Sequence, residues 1–342
     1  MKKLFHNIDH FFFRKISASG FGLMRIAWGS TVLVSMLTQW SQIRDYYGKD
    51  GILPLDLQYM MLRPNYRFTV FEWVTEPHAV FAVYLLFLCT ATCTILGIFP
   101  RISTIITTLL LFSFHERNSM VLAGGETVLR NIGFLLAIAP GIHAFSLERA
   151  ELQWKSWVKN RHLLPKLTMP IWPYRLLLWQ FIVLYVTSGY DKLLGVMWWF
   201  NGTATAAALH HPSFSRNMPT VSAWLSGASV PLSRLVVIFE FCWLLLLVPH
   251  GVWRRLGFRE GAVKRALLLW GVVFHLSIFA LMVVGTFPLA MLAGYLGLLK
   301  DEDMHAMRTR LNRFRKTHIV VLYDGNCGFC RRSMGWLAMC DW

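Results

Sequence analysis

The segment AVFAVYLLFLCTATCTILGIF, residues 79–99, contains 21 consecutive positions without a charged side chain. An α-helix needs about 20 apolar residues to cross a hydrocarbon layer of about 30 Å, so this segment is long enough to span a bilayer. In lipid, a helix satisfies all of its backbone polar groups internally, whereas an isolated strand does not. The segment therefore predicts an integral membrane protein.

Seven further segments are also predominantly apolar, which predicts an all-α, polytopic transmembrane bundle of about eight spans. Four of the seven have full length. Three are short and would bring flanking polar residues to membrane depth, which is tolerable only where these residues face protein or water. The full-length segments are 21–40, 171–190, 230–249, which carries Arg234 and Glu240, and 266–285, and the short ones are 102–114, 131–145 and 286–299.

The composition supports a lipid environment. Of the 342 residues 55% are apolar and 15% are charged, against about a quarter charged in soluble domains. The net charge of +16 could indicate a nucleic-acid partner. However, the basic residues separate apolar runs instead of gathering on one face with exposed aromatic residues, so we exclude nucleic acid and expect the lipid bilayer as the partner.

The basic residues also predict the topology. Alternate connections between the spans hold 15 and 6 Lys and Arg residues. Because cytoplasmic loops carry the excess, both termini are predicted in the cytoplasm, and the loops around Arg63, Glu126 and Arg216 are predicted outside. The amino-terminal segment MKKLFHNIDHFFFRK lacks the pattern of a cleaved signal peptide, so the first span is expected to serve as the insertion signal.

The chain changes character after the last span. Residues 1–300 form the predicted transmembrane domain, 301–317 a basic cytoplasmic linker, and 318–342 a short third region. The basic cluster from Arg308 to Lys316 is either a solvated helix or a segment that lies on anionic headgroups.

Several ionisable residues fall within the spans, where charges are costly and usually face the bundle interior. Each is a candidate site residue. The alternative is that several of them pair with one another to fix helix packing, and His275 is expected to be a hydrogen-bonded packing residue. These residues are Arg25, Arg130, Asp191, Lys192, Glu240 and His275.

Lys192 is the most informative of them. It follows Gly189 and precedes the aromatic pair Trp198 and Trp199. Loss of hydration disfavours an ammonium group, so a neutral amine here could accept a proton and act as a catalytic base. Asp191 opposes this by stabilising the ammonium, although adjacent residues on a helix point about 100° apart and need not meet. The alternative is a lysine that reaches the interface with its charged end.

A second polar segment is HERNSMVLAGGETVLRN, residues 115–131, which crowds polar side chains around Gly124 and Gly125 between two short spans. It predicts a water-filled vestibule on the outer side, shared with Lys192. The alternative is an ordinary connecting loop. The polar residues are His115, Glu116, Arg117, Asn118, Glu126 and Arg130.

Six segments in order resemble the horizontally transferred transmembrane (HTTM) family, bacterial relatives of the vitamin K-dependent gamma-carboxylase. The resemblance covers about residues 15–300 and implies a bacterial inner membrane protein. The segments are FGLMRIAWG, YYGKDGILP, RNSMVLAGGETVLRN, YVTSGYDKLLGVMWWFNGTA, FEFCWLLLLVP and FHLSIFALMVVGTFPLAML.

The carboxylase uses a reduced quinone, oxygen and carbon dioxide, and the resemblance implies that Lys192 occupies the position of its catalytic base, which deprotonates the hydroquinone. Asp191 stands where the carboxylase has a second lysine, and Asn118 where its polar loop has a histidine. We also expect no counterpart of the large extracytoplasmic domain that binds the propeptide and the substrate. The resemblance therefore implies a quinol cofactor, menaquinol or ubiquinol, and no metal. It favours quinol oxidation or epoxidation over carboxylation of a peptide substrate.

The tail VVLYDGNCGFCRR, residues 320–332, resembles the start of the DCC family of thiol-disulfide oxidoreductase-like proteins, which are similar to thioredoxin. A β-type run at 319–323, a turn and a following helix would give a short, incomplete thioredoxin-like β-α piece that does not work alone. The resemblance implies Cys327 as an acidified thiol and Cys330 as its resolving partner. The alternative is half of a zinc site.

Three functions remain open: a quinol-dependent membrane enzyme, a non-enzymatic membrane protein for peptide maturation or export, and a membrane-tethered protein-disulfide reductase. The candidate catalytic residues are Lys192, Asn118, Cys327 and Cys330, and the candidate cofactor-binding residues are His115, Arg117, Glu126, Arg130, Trp198 and Trp199.

Overall fold

A computed structural model describes residues 2–61, 69–216, 218–259, 261–312 and 321–340. Arg63 and Arg67 of the predicted outer loop lie outside the described residues, as do the carboxyl end of the predicted linker and the first residues of the predicted β-type run. The chain divides into two compact units, Met1–Pro173 with Leu296–Trp342, and Tyr174–Tyr295.

Helices dominate the described chain, as predicted. Short 3₁₀ turns occur at Trp40–Gln42, Val70–Glu72, Ser119–Val121, Pro140–His143 and Trp243–Leu247, and a π-helical turn at Val196–Phe200. The α-helices are α1 Lys2–Phe13, α2 Ser19–Leu37, α3 Ile43–Tyr47, α4 Leu55–Met61, α5 Pro77–Leu96, α6 Pro100–Arg117, α7 Gly124–Ile138, α8 Leu147–Asn160, α9 Trp172–Leu194, α10 Ala204–His210, α11 Pro219–Gly227, α12 Ser229–Cys242, α13 His250–Arg255, α14 Ala262–Leu281, α15 Phe287–Gly297, α16 Asp301–Asn312 and α17 Gly328–Cys340.

Each of the eight predicted spans overlaps a helix. Within the described chain, four helical segments are long and apolar enough to cross a membrane. The helix α9 is not among them although it has 23 residues, and α15 has only 11. The count of eight therefore stays a prediction. The four segments are Ser19–Leu37, Pro77–Leu96, Ser229–Leu247 and Ala262–Leu281.

The helices that overlap two of the short predicted spans have different bounds. The span predicted at 102–114 lies within the 18-residue helix α6, which continues through Arg117. The span predicted at 131–145 overlaps α7, which begins at Gly124 and ends at Ile138. A count of apolar residues stops at the first charged side chain, whereas the backbone hydrogen bonds of a helix continue past it. The polar residues 115–117 and Glu126 therefore belong to helix ends, Arg130 lies in the middle of α7, and only 118–123 connect α6 to α7.

The core of the first unit is formed by α2, α5, α6 and α7. Trp28 of α2 is fully buried, and its indole N–H donates to the carbonyl oxygen of Leu129 at 2.8 Å. A Cβ atom at Gly133 would lie 2.6 Å from Cζ2 of Trp28. The close approach of α7 to this ring therefore requires a residue without a side chain.

Two features of the first unit were not predicted. A short antiparallel pair joins β1, Lys15–Ser17, to β2, Thr168–Pro170. The amphipathic helix α8 fills part of the connection expected to be a basic loop, and α17 packs against it. A Cβ atom at Gly335 of α17 would lie 3.0 Å from Cδ1 of Trp157.

The predicted β-type run is not observed over 321–323, which lie outside any strand in the described chain. A strand needs a neighbour for its N–H and C=O groups, and the described residues provide none there. The helix expected after the cysteine pair is α17.

The second unit has an aromatic core. Tyr185 of α9 stacks on Trp243, with ring centroids 4.7 Å apart. The Tyr185 hydroxyl lies 2.7 Å from Nε2 of His275 and forms a hydrogen bond with the Tyr295 hydroxyl. His275 is fully buried, so it is the hydrogen-bonded packing residue that was expected.

Candidate functional site

Lys192 lies in the last turn of α9, in the second unit. Residues four apart on a helix share a face, and the Lys192 ammonium donates to the hydroxyl of Ser188 at 2.5 Å. The helix ends directly after it, where the Gly195 N–H donates to the carbonyl oxygens of Asp191 at 3.0 Å and of Lys192 at 3.1 Å. The site is thus built on a regular helix and not on a loop.

The partner of Lys192 is Glu240 of α12. Nζ of Lys192 lies 2.6 Å from Oε1 of Glu240, and Ser188 Oγ donates to the same oxygen at 3.1 Å. The Lys192 side chain is 19% exposed and that of Glu240 is 5% exposed. A lysine in an apolar span suggests an isolated amine. The structure shows instead that the Lys192 amine belongs to a largely buried ion pair, and that the Ser188 hydroxyl bridges its two members.

Gly189 allows Glu240 to come this close to α9. A Cβ atom at Gly189 would lie 3.1 Å from Cβ of Glu240, tighter than an ordinary contact. The second carboxylate oxygen of Glu240, Oε2, is buried and has no hydrogen-bond partner within the described chain. A buried carboxylate oxygen normally has a donor, so Oε2 is an acceptor that the protein leaves unused.

The aromatic pair has two different roles. The Lys192 ammonium lies 5.2 Å from the centre of the Trp198 ring, within the range of a cation–π contact. The carbonyl oxygen of Trp199 accepts a hydrogen bond from Nε of Arg234 at 3.0 Å. Asp191 is exposed, so the acid that faces Lys192 is Glu240 and not its sequence neighbour.

In the first unit, Arg117 and Asn118 hold a different part of the chain. Arg117 is 1% exposed, and its guanidinium donates to the carbonyl oxygens of Leu53, at 2.9 Å, and of Gly48. It also donates to Oε1 of Gln58 at 2.9 Å. These bonds fix the connection between α3 and α4.

Asn118 completes this anchoring. Its amide donates to the carbonyl oxygen of Tyr46 at 3.0 Å, and its Oδ1 accepts from the Met120 N–H at 3.0 Å. Both ends of the side chain are therefore occupied by backbone groups. A catalytic role for Asn118 stays a prediction.

Glu126, Arg130 and Glu116 of the polar segment are also engaged, whereas Nδ1 of buried His115 has no hydrogen-bond partner within the described chain. Glu126 accepts from the Ala123 N–H at 3.1 Å and so caps the start of α7. Arg130 forms an ion pair with Glu116, and its guanidinium lies 4.3 Å from the centre of the Phe112 ring. His115 is buried. Lys192 belongs to the other unit, so the vestibule predicted to be shared with it stays a prediction, as do the cofactor-binding roles.

The cysteine pair lies at the start of α17. Cys327 and Cys330 are both free thiols, and the Cys330 N–H donates to Sγ of Cys327 at 3.4 Å. Hydrogen bonds from the thiol and then from the amide of Cys330 lower the pKa of Cys327 below its ordinary value, and the pKa of Cys330 is raised by the same thiol contact. This is the asymmetry expected of a nucleophilic and a resolving thiol. No group of three or more His, Cys, Asp or Glu side chains suited to a metal occurs among the described residues.

A family model described as the HTTM domain matches residues 13–301. The chain belongs to the HTTM domain family. Neither curated proteins nor solved structures give a match. With its apolar helices, this HTTM domain makes the chain an integral membrane protein.

The ion pair of this HTTM domain was only half visible in the sequence. Lys192 was singled out, whereas Glu240 was read as one of several packing charges and Ser188 was missed. The available signal was a lone acid inside the apolar run FEFCWLLLL, and a hydroxyl four residues before the lysine.

Proposed function

We propose that this chain is a membrane enzyme that acts on a quinol, with Lys192 and Glu240 as one acid–base unit. The observation that supports this proposal is the ion pair itself. In it, a partly exposed ammonium contacts a buried carboxylate, one oxygen of which has no hydrogen-bond partner within the described chain. Paired charges are common as packing devices, but a packing pair normally uses all of its acceptors.

The residues fit a hydroquinone. Its hydroxyl can donate to a carboxylate oxygen, and the anion left after proton loss is stabilised by a neighbouring ammonium. The Trp198 ring beside the ammonium offers an apolar face to an aromatic ligand. A bound quinol would supply two electrons, and dioxygen would accept them.

The protein's own step is a proton transfer. The hydroquinone O–H bond breaks, and the proton bonds to Oε2 of Glu240 while Lys192 stays an ammonium. Alternatively, Nζ of Lys192 first passes one of its protons to Oε1 of Glu240, and the neutral amine then takes the proton of the hydroquinone. Ser188 holds both partners in place through its hydroxyl. The two heavy atoms are 2.6 Å apart, which is close enough for a proton to pass between them.

The proposal includes the finer topology. Eight spans with both termini in the cytoplasm of a bacterial inner membrane follow from the distribution of Lys and Arg and from the family resemblance. In this arrangement Lys192 lies at the outer side. The resemblance to the gamma-carboxylase suggests a quinol as the cofactor. Asp191 and Asn118 stand at two positions where this chain differs from the carboxylase, and they disfavour carboxylation of a peptide.

A second candidate is a thiol-disulfide exchange activity of the DCC type at Cys327 and Cys330. The lowered pKa of Cys327, caused by hydrogen bonds from Cys330, supports it. In such an exchange the Cys327 thiolate attacks a substrate disulfide and releases one substrate thiol. Cys330 then displaces the second, so the substrate is reduced and the pair is oxidised.

Quinol oxidation by the purified protein in lipid nanodiscs tests the first candidate. Menaquinol and ubiquinol are supplied separately, and quinone absorbance is followed together with oxygen consumption. We expect wild-type turnover that Lys192→Ala reduces by at least about 100-fold, the scale of a lost general base, while Cys327→Ser is unaffected. Equal rates for wild type and Lys192→Ala would leave a non-enzymatic role in peptide maturation or export.

A further inference from the structure

The first unit contains a cavity of about 660 Å³ that is unrelated to Lys192. Ser19, the first residue of α2, and Leu96, the last of α5, both line it. These helices are two of the four that are long and apolar enough to cross a membrane, so the cavity lies beside the ends of two candidate spans, where we expect lipid headgroups. Ala150 of α8 and His305 of α16 also line the cavity.

One part of the lining is apolar and open to the surroundings. Leu147 is 51% exposed and Phe145 is 39% exposed. Leu96 and Leu163 are also exposed and lie in the same wall. Large apolar side chains left uncovered beside a cavity indicate a ligand with a hydrocarbon portion.

The other part of the lining is basic. Arg149, Lys166 and Arg308 contribute three permanent positive charges, against one carboxylate from Asp301. Within the described chain, Lys166 and Arg308 form no hydrogen bond or ion pair, and Arg149 uses one nitrogen to donate to the carbonyl oxygen of Pro165 at 2.6 Å. Three cations with unused donors facing one carboxylate favour an anion.

The wall between these parts is held rigidly. Arg25 is fully buried, and its guanidinium donates to the carbonyl oxygens of Ile95 at 3.2 Å and of Phe145 at 3.0 Å. It also donates to the carbonyl oxygen of Ala144 at 3.3 Å. Phe145 has a φ angle of 54°, in the left-handed region that an aromatic residue seldom adopts. Backbone strain that the surroundings maintain is typical of ligand clamps.

We propose that this cavity binds an anionic phospholipid of the surrounding leaflet. The phosphate lies among Arg149, Lys166 and Arg308, and the upper part of an acyl chain lies against Phe145 and Leu147. The chemistry combines an anion with a hydrocarbon chain, which a soluble phosphate lacks. The volume fits the polar half of a lipid, within the range of small-molecule sites.

Native mass spectrometry of the full chain, purified in mild detergent and supplied with phosphatidylglycerol or phosphatidylcholine, tests the proposal. We expect a phosphatidylglycerol adduct that the triple variant Arg149→Gln, Lys166→Gln, Arg308→Gln weakens by about 100-fold, since each basic residue near an anionic headgroup contributes several-fold to affinity. The matched control changes Lys155, Lys159 and Arg310 to Gln. These residues carry the same charge on α8 and α16 but do not line the cavity.

A second variant separates the cavity from simple charge attraction. Ala150→Trp fills the cavity and keeps every charge, so we expect it to lose the phosphatidylglycerol adduct as well. Equal weakening by the control triple variant would overturn the proposal in favour of non-specific charge attraction. Equal binding of phosphatidylcholine would also overturn it, because the site would then not recognise the negative charge of the headgroup. Full competition by glycerol phosphate would overturn it as well, because the site would then not recognise the acyl chain.

Discussion

Two polar clusters of this HTTM protein look alike in sequence and differ in structure. The loop-anchoring cluster consists of Arg117 and Asn118, which donate hydrogen bonds to backbone carbonyl groups at the end of α3 and in its connection to α4. The Lys192–Glu240 pair binds through side chains alone, and it leaves Oε2 of Glu240 without a partner in the described chain. The difference indicates that the first cluster maintains the fold, whereas the second retains a carboxylate oxygen that can accept a hydrogen bond or a proton from a ligand.

This comparison predicts its largest effect on stability at Arg117. Replacing it by Met leaves the Leu53 carbonyl oxygen and Oε1 of Gln58 without the donor they have now. The Gly48 carbonyl oxygen keeps the Gly51 N–H at 3.3 Å, so we expect a loss of about 3 kcal/mol in the free energy of unfolding. The measurement is thermal unfolding in detergent, with Arg44→Met on exposed α3 surface as control. A melting temperature equal to that of the control would show that the cluster does not anchor the loop.

Breaking the ion pair comes next. Lys192→Met leaves the Glu240 carboxylate buried without its cation and should cost about 2 kcal/mol, less than for a fully buried pair because Lys192 is 19% exposed. Adding Glu240→Gln removes the stranded charge, so the double variant should be more stable than Lys192→Met. Additive losses in this cycle would mean that the two side chains are not coupled.

The third effect is smaller and concerns Gly189. Gly189→Ala gains about 1 kcal/mol of helix propensity, but its Cβ lies 3.1 Å from Cβ of Glu240 and pushes α12 away. We expect little net change in unfolding and a several-fold slower quinol oxidation. Gly227→Ala, where a Cβ meets nothing within 4 Å, serves as the control for both measurements, and an unchanged rate in Gly189→Ala would contradict the close packing.

The smallest expected effect on stability is at the half-buried cysteine pair, where Cys327→Ser should leave the melting temperature unchanged. In the wild-type protein, the Cys327 thiol should nevertheless differ from the Cys330 thiol in reactivity. Because the pKa of Cys327 is lowered and that of Cys330 is raised, alkylation at neutral pH should label Cys327 first, and the difference should vanish above both pKa values. In Cys330→Ala, which removes the side-chain donor, the Cys327 pKa should rise part of the way toward its ordinary value, because the hydrogen bond from the backbone amide of residue 330 remains.

The extent to which the sequence predicts this protein follows from the range of the interactions involved. Apolar runs are local, so the helices around 79–99 and 266–285 were predicted to within a few residues. The ends of α6 and α7 were not, because capping by Glu126 and continuation through Arg117 depend on backbone hydrogen bonds that apolar counting ignores. The pairing of Lys192 with Glu240 joins residues 48 positions apart. It was missed because a single sequence does not say which interior charges meet.

The most direct test of the account is quinol oxidation measured for Lys192→Ala, Glu240→Gln and the double variant in one nanodisc preparation. If the two side chains act as one acid–base unit, each single variant loses most of the turnover, and the double variant is no slower than Lys192→Ala. Wild-type turnover in Glu240→Gln, or losses that multiply in the double variant, would contradict the account.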